Sequence, residues 1–162
     1  MNAVKLSVFE NWRQTFHEAL RQIIKEYYQT PLALRSAFLV IKLVEKHWKR
    51  INPDFFNSNV HYYIVLAQTT DYLLRFLSPM IDWVLLFEKV GCATKQVDID
   101  IAYYQQGQCI IRKFILQEDE WFYSHYIRNV MAAFESMKDM KPQKIEFCSL
   151  FTGECKIHDI AS

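Results

Sequence analysis

Glycine and proline are scarce in this chain, at 3 and 4 of 162 residues. That scarcity argues against a loop-built fold and against the glycine-rich turns of nucleotide-binding folds. No charge sign dominates either: 19 Lys and Arg against 18 Asp and Glu leave a net charge of +1. A chain this neutral lacks the basic footprint of a DNA- or RNA-binding surface, so no direct nucleic-acid contact is expected. Long apolar runs are missing. Runs such as residues 37–41 and 83–87 fall far short of the ~20 residues that span a bilayer. No basic and then apolar leader opens the sequence. The expectation is a cytoplasmic protein without membrane association. Local catalytic signatures are absent too: no P-loop, GxGxxG, GxSxG, HExxH or EF-hand pattern occurs. No enzymatic activity, catalytic residue, metal site or cofactor is therefore expected.

What is present is an ordinary globular balance, 51% hydrophobic and 23% charged, with a high aromatic share of 15%. A chain of 162 residues makes one domain with a real core, burying roughly 68–70% of its extended surface. The cysteines, Cys92, Cys109, Cys148 and Cys155, show no CxxC spacing. They read as buried or half-buried free thiols, which behave as small hydrophobes. Cys148 and Cys155 lie either side of Gly153 and suit the two strands of a hairpin.

The first two-thirds has helical spacing. Ser7 with Glu10 forms a capping-box pattern, and Phe9, Trp12, Phe16, Leu20, Ile23 and Tyr27 recur along one face. Thr30-Pro31 marks a second start, with Leu34, Phe38, Ile41, Val44 and Trp48 on one face and His47 near the exposed side of its last turn. Residues 60–67 read as a short buried helix. Thr70-Asp71 caps another that carries Leu73, Leu74, Leu77, Ile81, Val84, Leu85 and Glu88, kinked or split at Pro79 and ended by Gly91. The period then changes to two: Val97, Ile99, Ile101 and Tyr103 alternate with Asp98, Asp100 and Ala102, a strand with one wet face. Gln105-Gln106-Gly107 is a hairpin turn and residues 109–116 the return strand. A long helix follows, with Phe122 or Tyr123, Ile127, Val130, Phe134 and Met137 facing inward, stopped by Pro142. Residues 145–147 and 155–160 are short strands around Thr152-Gly153. The expected fold class is α+β: an N-terminal helical bundle (about 1–91), then a small, mostly antiparallel sheet crossed by one long helix (about 96–162).

Several side chains carry possible chemistry. His17 sits near an exposed helix face. His61, in the cluster His61-Tyr62-Tyr63, and His125, between Tyr123 and Tyr126, suit either a ligand hydrogen bond, a haem-iron ligand or a packed rim position. Asp98 and Asp100 share one strand face and suit a metal or acid–base pair, or plain hydration. Tyr103-Tyr104 and the run Trp121-Phe122-Tyr123 with Tyr126 suit an apolar pocket, a core or a dimer interface.

Three stretches then carry a family likeness. Residues 59–77, NVHYYIVLAQTTDYLLRFL, resemble the segment LGYALLSSPTLGEALRRL of the ligand-sensing (arabinose-binding-like) domain of AraC-type transcription regulators. Residues 96–116 are similar to that domain's hairpin, and residues 121–147 to its long helix and P-x-x-V-x-F strand. Residues 150–158, LFTGECKIH, resemble its closing LFGCPVHF. His61 and Tyr62 stand where the family has Leu-Gly, and the stretch between Phe147 and Leu150 is shorter than the family's. The likeness ends at Ser162, where the family's helix-turn-helix half would begin. On element order, sensor domains of the haem-nitric-oxide-binding or vinyl-reductase and transport-particle type are similar as well. His61 is the one axial ligand such a haem domain could use.

The AraC-type resemblance implies a single ligand-sensing and dimerisation domain over residues 1–162, lacking its own DNA-binding module. Its effector is expected to be small and apolar or amphipathic, its assembly a homodimer. The expected ligand contacts are His61, Tyr62, Tyr103, Trp121 and His125, and the exposed face of the long helix is the expected dimer surface. The alternatives are a haem or small-ligand sensor of the second type, or a non-enzymatic adaptor whose aromatics are core and interface.

Overall fold

The computed structural model describes residues 2–116 and 119–160, with side chains from residue 14 onward. Among the described residues the chain is mixed α/β, with four α-helices and one five-stranded mixed sheet. None of these helices is long and apolar enough to cross a membrane. The chain divides into two compact units, Met1–Met80 and Ile81–Ser162.

The first unit holds α1 (Asn2–Gln29), α2 (Ala37–Trp48) and α3 (Asn59–Phe76). On α1 the expected stripe is buried at Phe16, Leu20, Ile23 and Tyr27, widened by Ala19, Ile24 and Tyr28. Arg35 fastens the end of α1, donating to the carbonyls of Tyr28 at 2.8 Å and Thr30 at 2.9 Å. A cation on the last carbonyls of a helix satisfies acceptors that have no partner within the helix. The expected start at Ser7 gives way to a helix already under way at Asn2. The Ser7, Glu10, Phe9 and Trp12 side chains lie outside those described.

Pro31 opens only a 3-10 turn at Leu32–Leu34. α2 begins at Ala37, where the Ser36 hydroxyl accepts the Leu39 N–H at 3.2 Å. Its buried stripe is Val40, Leu43, Val44, His47 and Trp48, while Leu34, Phe38 and Ile41 are exposed. Two helical stripes exist on α2, and spacing alone does not decide which one faces the neighbours. His47 is buried, its Nε2 2.8 Å from the Glu26 carboxylate, which also takes the Lys46 ammonium at 2.8 Å. Residues 60–67 and Thr70-Asp71 belong to one continuous helix rather than two. Thr70 donates its hydroxyl to the Leu66 carbonyl at 2.7 Å, a bond within the helix rather than a cap. This helix is not buried along 60–67, since Val60, Tyr63 and Ile64 are exposed.

The second unit is a sheet in the order β1-β2-β3-β4-β5: β1 (Trp83–Cys92), β2 (Lys95–Gln105), β3 (Gln108–Ile115), β4 (Pro142–Ser149) and β5 (Cys155–Asp159). All neighbours pair antiparallel except β3 and β4, which are parallel and joined through α4 (Glu120–Phe134). A parallel pair needs such a crossover. The helix expected to run on through Val84, Leu85 and Glu88 to Gly91 is thus β1, which contains Gly91, and Pro79 and Ile81 lie in the connection, with no helix kinked or split at Pro79. A short apolar run such as residues 83–87 fits strand or buried helix equally. Pairing with β2, from Trp83↔Tyr103 to Cys92↔Lys95, decides it. The helical part therefore ends near 76 rather than 91.

The Gln106-Gly107 turn has φ of +51° and +78°, as a two-residue hairpin loop requires. On one sheet face α4 sets Tyr126, Val130, Ala133 and Phe134 against Ala102, Ile111, Ile145 and Phe147. Asp119 caps α4 by accepting the Trp121 N–H at 3.0 Å. α4 ends at Phe134, and Pro142 is not its stop but the first residue of β4. Asp98 is exposed, but Asp100 is buried, so that face of β2 is not simply wet. Asp100 accepts the Lys113 ammonium at 2.8 Å and the Phe114 backbone N–H at 2.9 Å, which compensates its burial.

Candidate functional site

The helical unit contains a groove between α2 and α3. Helical spacing brings Ile41, Val44 and Trp48 of α2 opposite Tyr62, Leu66 and Thr70 of α3, around a volume of about 310 Å³. Glu45 and Lys49, an exposed i,i+4 pair at 3.7 Å, complete the lining with charge. The floor is held by rings. Trp48 meets Phe16 edge-on at 5.4 Å and Tyr62 at 6.3 Å, and Phe56 supports Tyr62 at 5.2 Å. Trp48 is 3% exposed, and among the described residues its indole N–H is buried without an acceptor. An orphaned buried donor costs about 1–3 kcal/mol. Apolar walls with a phenol, a hydroxyl and a charged pair can hold a small molecule with an apolar body and one polar end.

A second cluster lies in the sheet. Glu146 of β4 accepts from Arg112 Nη2 at 2.7 Å, from Arg112 Nε at 2.8 Å and from the Tyr103 hydroxyl at 2.9 Å. Arg112 alternates with Ile111 and Glu146 with Phe147, both of which face α4. The cluster therefore sits on the opposite face. Burial, with the neighbouring Glu146 carboxylate, pushes the Tyr103 phenol well above its ordinary range. A phenol held neutral and already bonded to a carboxylate is a structural donor here.

Of the five expected contacts, Tyr62 lines the groove. His61 is its neighbour on α3 but is exposed, with its ring edge-on to Phe56 at 5.5 Å. Tyr103 is buried in the sheet cluster. Trp121 and His125 stack on each other at 4.7 Å and 13° on the exposed side of α4. The sheet lies between Tyr103 and the Trp121–His125 pair, so these three do not converge. The groove residues Ile41, Val44, Trp48, Leu66 and Thr70 were not among the expected contacts, because the 41–44–48 spacing reads equally as core. Glu146 had a visible signal: a charge set between apolar Ile145 and Phe147 in a strand, where only a partner can compensate it. Arg112, which stands beside Lys113, had none so clear.

The free thiols are not uniformly buried: Cys109 and Cys148 are, but Cys92 and Cys155 are exposed. No metal-binding group of three or more His, Cys, Asp or Glu side chains occurs among the described residues. Compared with protein-family models and with curated proteins, the chain matches none.

Proposed function

We propose that the chain is a small-molecule-sensing and dimerisation module whose effector, small and apolar or amphipathic, seats between α2 and α3. The observation that carries this is the groove itself. It is mostly apolar, carries a few polar groups in its lining, and has a volume of about 310 Å³, at the lower end of the ~300–1,000 Å³ of ligand pockets. Tyr62 is the polar point for the ligand's head, and Ile41, Val44 and Leu66 take its body. The N-terminal helices act as the sensing bundle, and α4 crosses the sheet to present a homodimer surface. Exposed Trp121, at 68%, and Met131, at 49%, support that assignment of α4. A ligand that favours one arrangement of the helices shifts the population toward it. In an AraC-type regulator, which the sequence resembles, that shift is passed to a DNA-binding module.

Native mass spectrometry of protein purified without added ligand, then incubated with indole or decanoate, tests both parts. The expected spectrum is a dimer with a saturable adduct that leaves on denaturation. Leu66→Trp, which fills the groove, should remove the adduct. An adduct retained by that variant, or none at any probe concentration, overturns the ligand site. A monomer overturns the dimer surface.

A further inference from the structure

The closing hairpin brings two thiols together. Cys148 of β4 and Cys155 of β5 are direct cross-strand partners, and their Sγ atoms are 3.1 Å apart. The next pair along, Ser149 and Glu154, is hydrogen-bonded, the Ser149 N–H donating to the Glu154 carbonyl at 2.8 Å. Pairs alternate along an antiparallel ladder, so Cys148–Cys155 is of the closely spaced kind, with Cα atoms about 4.5 Å apart. That lies within the ~4.4–6.8 Å a disulfide spans.

We propose that Cys148 and Cys155 form a redox-active dithiol that exchanges with low-molecular-weight disulfides and closes a cross-strand disulfide in the β4–β5 hairpin. The two sulfurs have different roles. Cys155 is exposed and Cys148 is buried, so the incoming disulfide meets Cys155 first. The hydrogen bond from the Cys148 thiol pulls the Cys155 pKa down against burial and the nearby Glu146 carboxylate, which both raise it, while the Arg112 guanidinium adds a smaller downward pull. The thiolate is the nucleophile. Cys155 Sγ⁻ attacks one sulfur of the small disulfide, a mixed disulfide forms, and one thiolate leaves. Cys148 then loses its proton and attacks Cys155 Sγ, expelling the second small thiolate, which takes up a proton. Two thiols of the protein are oxidised and one small disulfide is reduced to two thiols. The Cys148 pKa is raised first by its hydrogen bond to Cys155 and then by burial. Capping Cys155 removes the first of these causes, which frees Cys148 for the second step while Arg112 remains beside it. The product pins the edge strand β5, exposed in all its residues, to β4. None of this depends on the groove between α2 and α3.

The test is equilibration of the full chain in glutathione buffers of increasing oxidised fraction, followed by alkylation, trypsin and mass spectrometry. Both thiols fall in the peptide 145–156. That peptide is expected to lose two hydrogens and become resistant to alkylation, without retained glutathione. Exposed Cys92 can only accumulate a glutathione adduct. Cys109, whose thiol burial pushes up to about 11, should stay unmodified. Cys148→Ser should trap glutathione on Cys155. In the reduced wild type, Cys155 should be alkylated at least about tenfold faster than Cys109. A peptide 145–156 that keeps both thiols reduced while Cys92 becomes glutathionylated overturns the proposal. So does stable glutathione on Cys155 in the wild type, which would show that Cys148 does not resolve it.

Discussion

Replacing Asp100 probes the sheet most sharply, because one carboxylate serves two different partners. Its oxygens take the Lys113 ammonium at 2.8 Å and the Phe114 backbone N–H at 2.9 Å. The Asp100 and Lys113 side chains are only 12% and 17% exposed. Asp100→Ala takes both acceptors away. A buried amide that loses its acceptor costs about 1–3 kcal/mol. Breaking a buried ion pair costs about 3–5 kcal/mol when the remaining charge stays buried. Lys113 retains some exposure and a flexible stem, and its ammonium also lies 5.4 Å from the Tyr126 ring, so its share falls below that range. Taken together, Asp100→Ala should cost about 3–4 kcal/mol. Asp100→Asn keeps an acceptor for the amide and should cost about 1–2 kcal/mol. Pairing Asp100→Ala with Lys113→Met should cost less than the sum of the two single variants, because the stranded charge is removed. Urea unfolding followed by tryptophan fluorescence gives all four values, and a native stability of about 5–15 kcal/mol leaves the variants measurable. Equal losses for Ala and Asn, or a loss below about 1 kcal/mol for Ala, would refute the assignment of Asp100 as acceptor to both groups.

Three further outcomes follow from local geometry. Gly91 has φ of +121°, and a Cβ there would collide with the Lys95 carbonyl oxygen. Gly91→Ala should therefore cost more than about 2 kcal/mol, read as a fall in Tm. Gly107, at φ +78° with open space around it, should cost only about 1–2 kcal/mol as alanine. Burial raises the Glu26 pKa, but the Lys46 and His47 hydrogen bonds outweigh it and hold the carboxyl below its ordinary 4.5. A depressed carboxylate contributes stability above its unfolded pKa and loses it as pH falls through the folded one. Urea midpoints for wild type and Glu26→Gln should thus differ at neutral pH and converge in acid; a gap that persists in acid would contradict the assignment.

How much of this was legible in the chain differs by element. The inner stripe of α1, Phe16 to Tyr27, follows from spacing, because a helix so deeply apolar on one side has one way to face. The β2–β3 hairpin was visible because alternation at Val97, Ile99 and Ile101 and the Gln106-Gly107 turn agree. β1 was not. Residues 83–87 carry no period that separates strand from helix, and the partner that settles the matter begins at Lys95. α2 is half legible: the helix starts at the Ser36 cap rather than at Pro31, and its buried side keeps Val44 and Trp48 of the expected face but takes Val40, Leu43 and His47 in place of Phe38 and Ile41. Of the groove, Tyr62 was expected and its partners on α2 were not, since the facing of two helices is a non-local property. The Cys148–Cys155 hairpin was legible from Gly153 between them. The 3.1 Å approach of the two sulfurs depends on register, which the spacing alone leaves open.

The groove between α2 and α3 is the proposed seat of a small amphiphile. The most direct measurement is a two-dimensional NMR titration of the isotope-labelled full chain with indole and with decanoate. Saturable shifts are expected to concentrate at Ile41, Val44, Trp48, Tyr62, Leu66 and Thr70, including the Trp48 indole N–H, and to be lost in Leu66→Trp. Shifts centred instead on Trp121 and His125, or no saturable shift at all, would contradict that assignment.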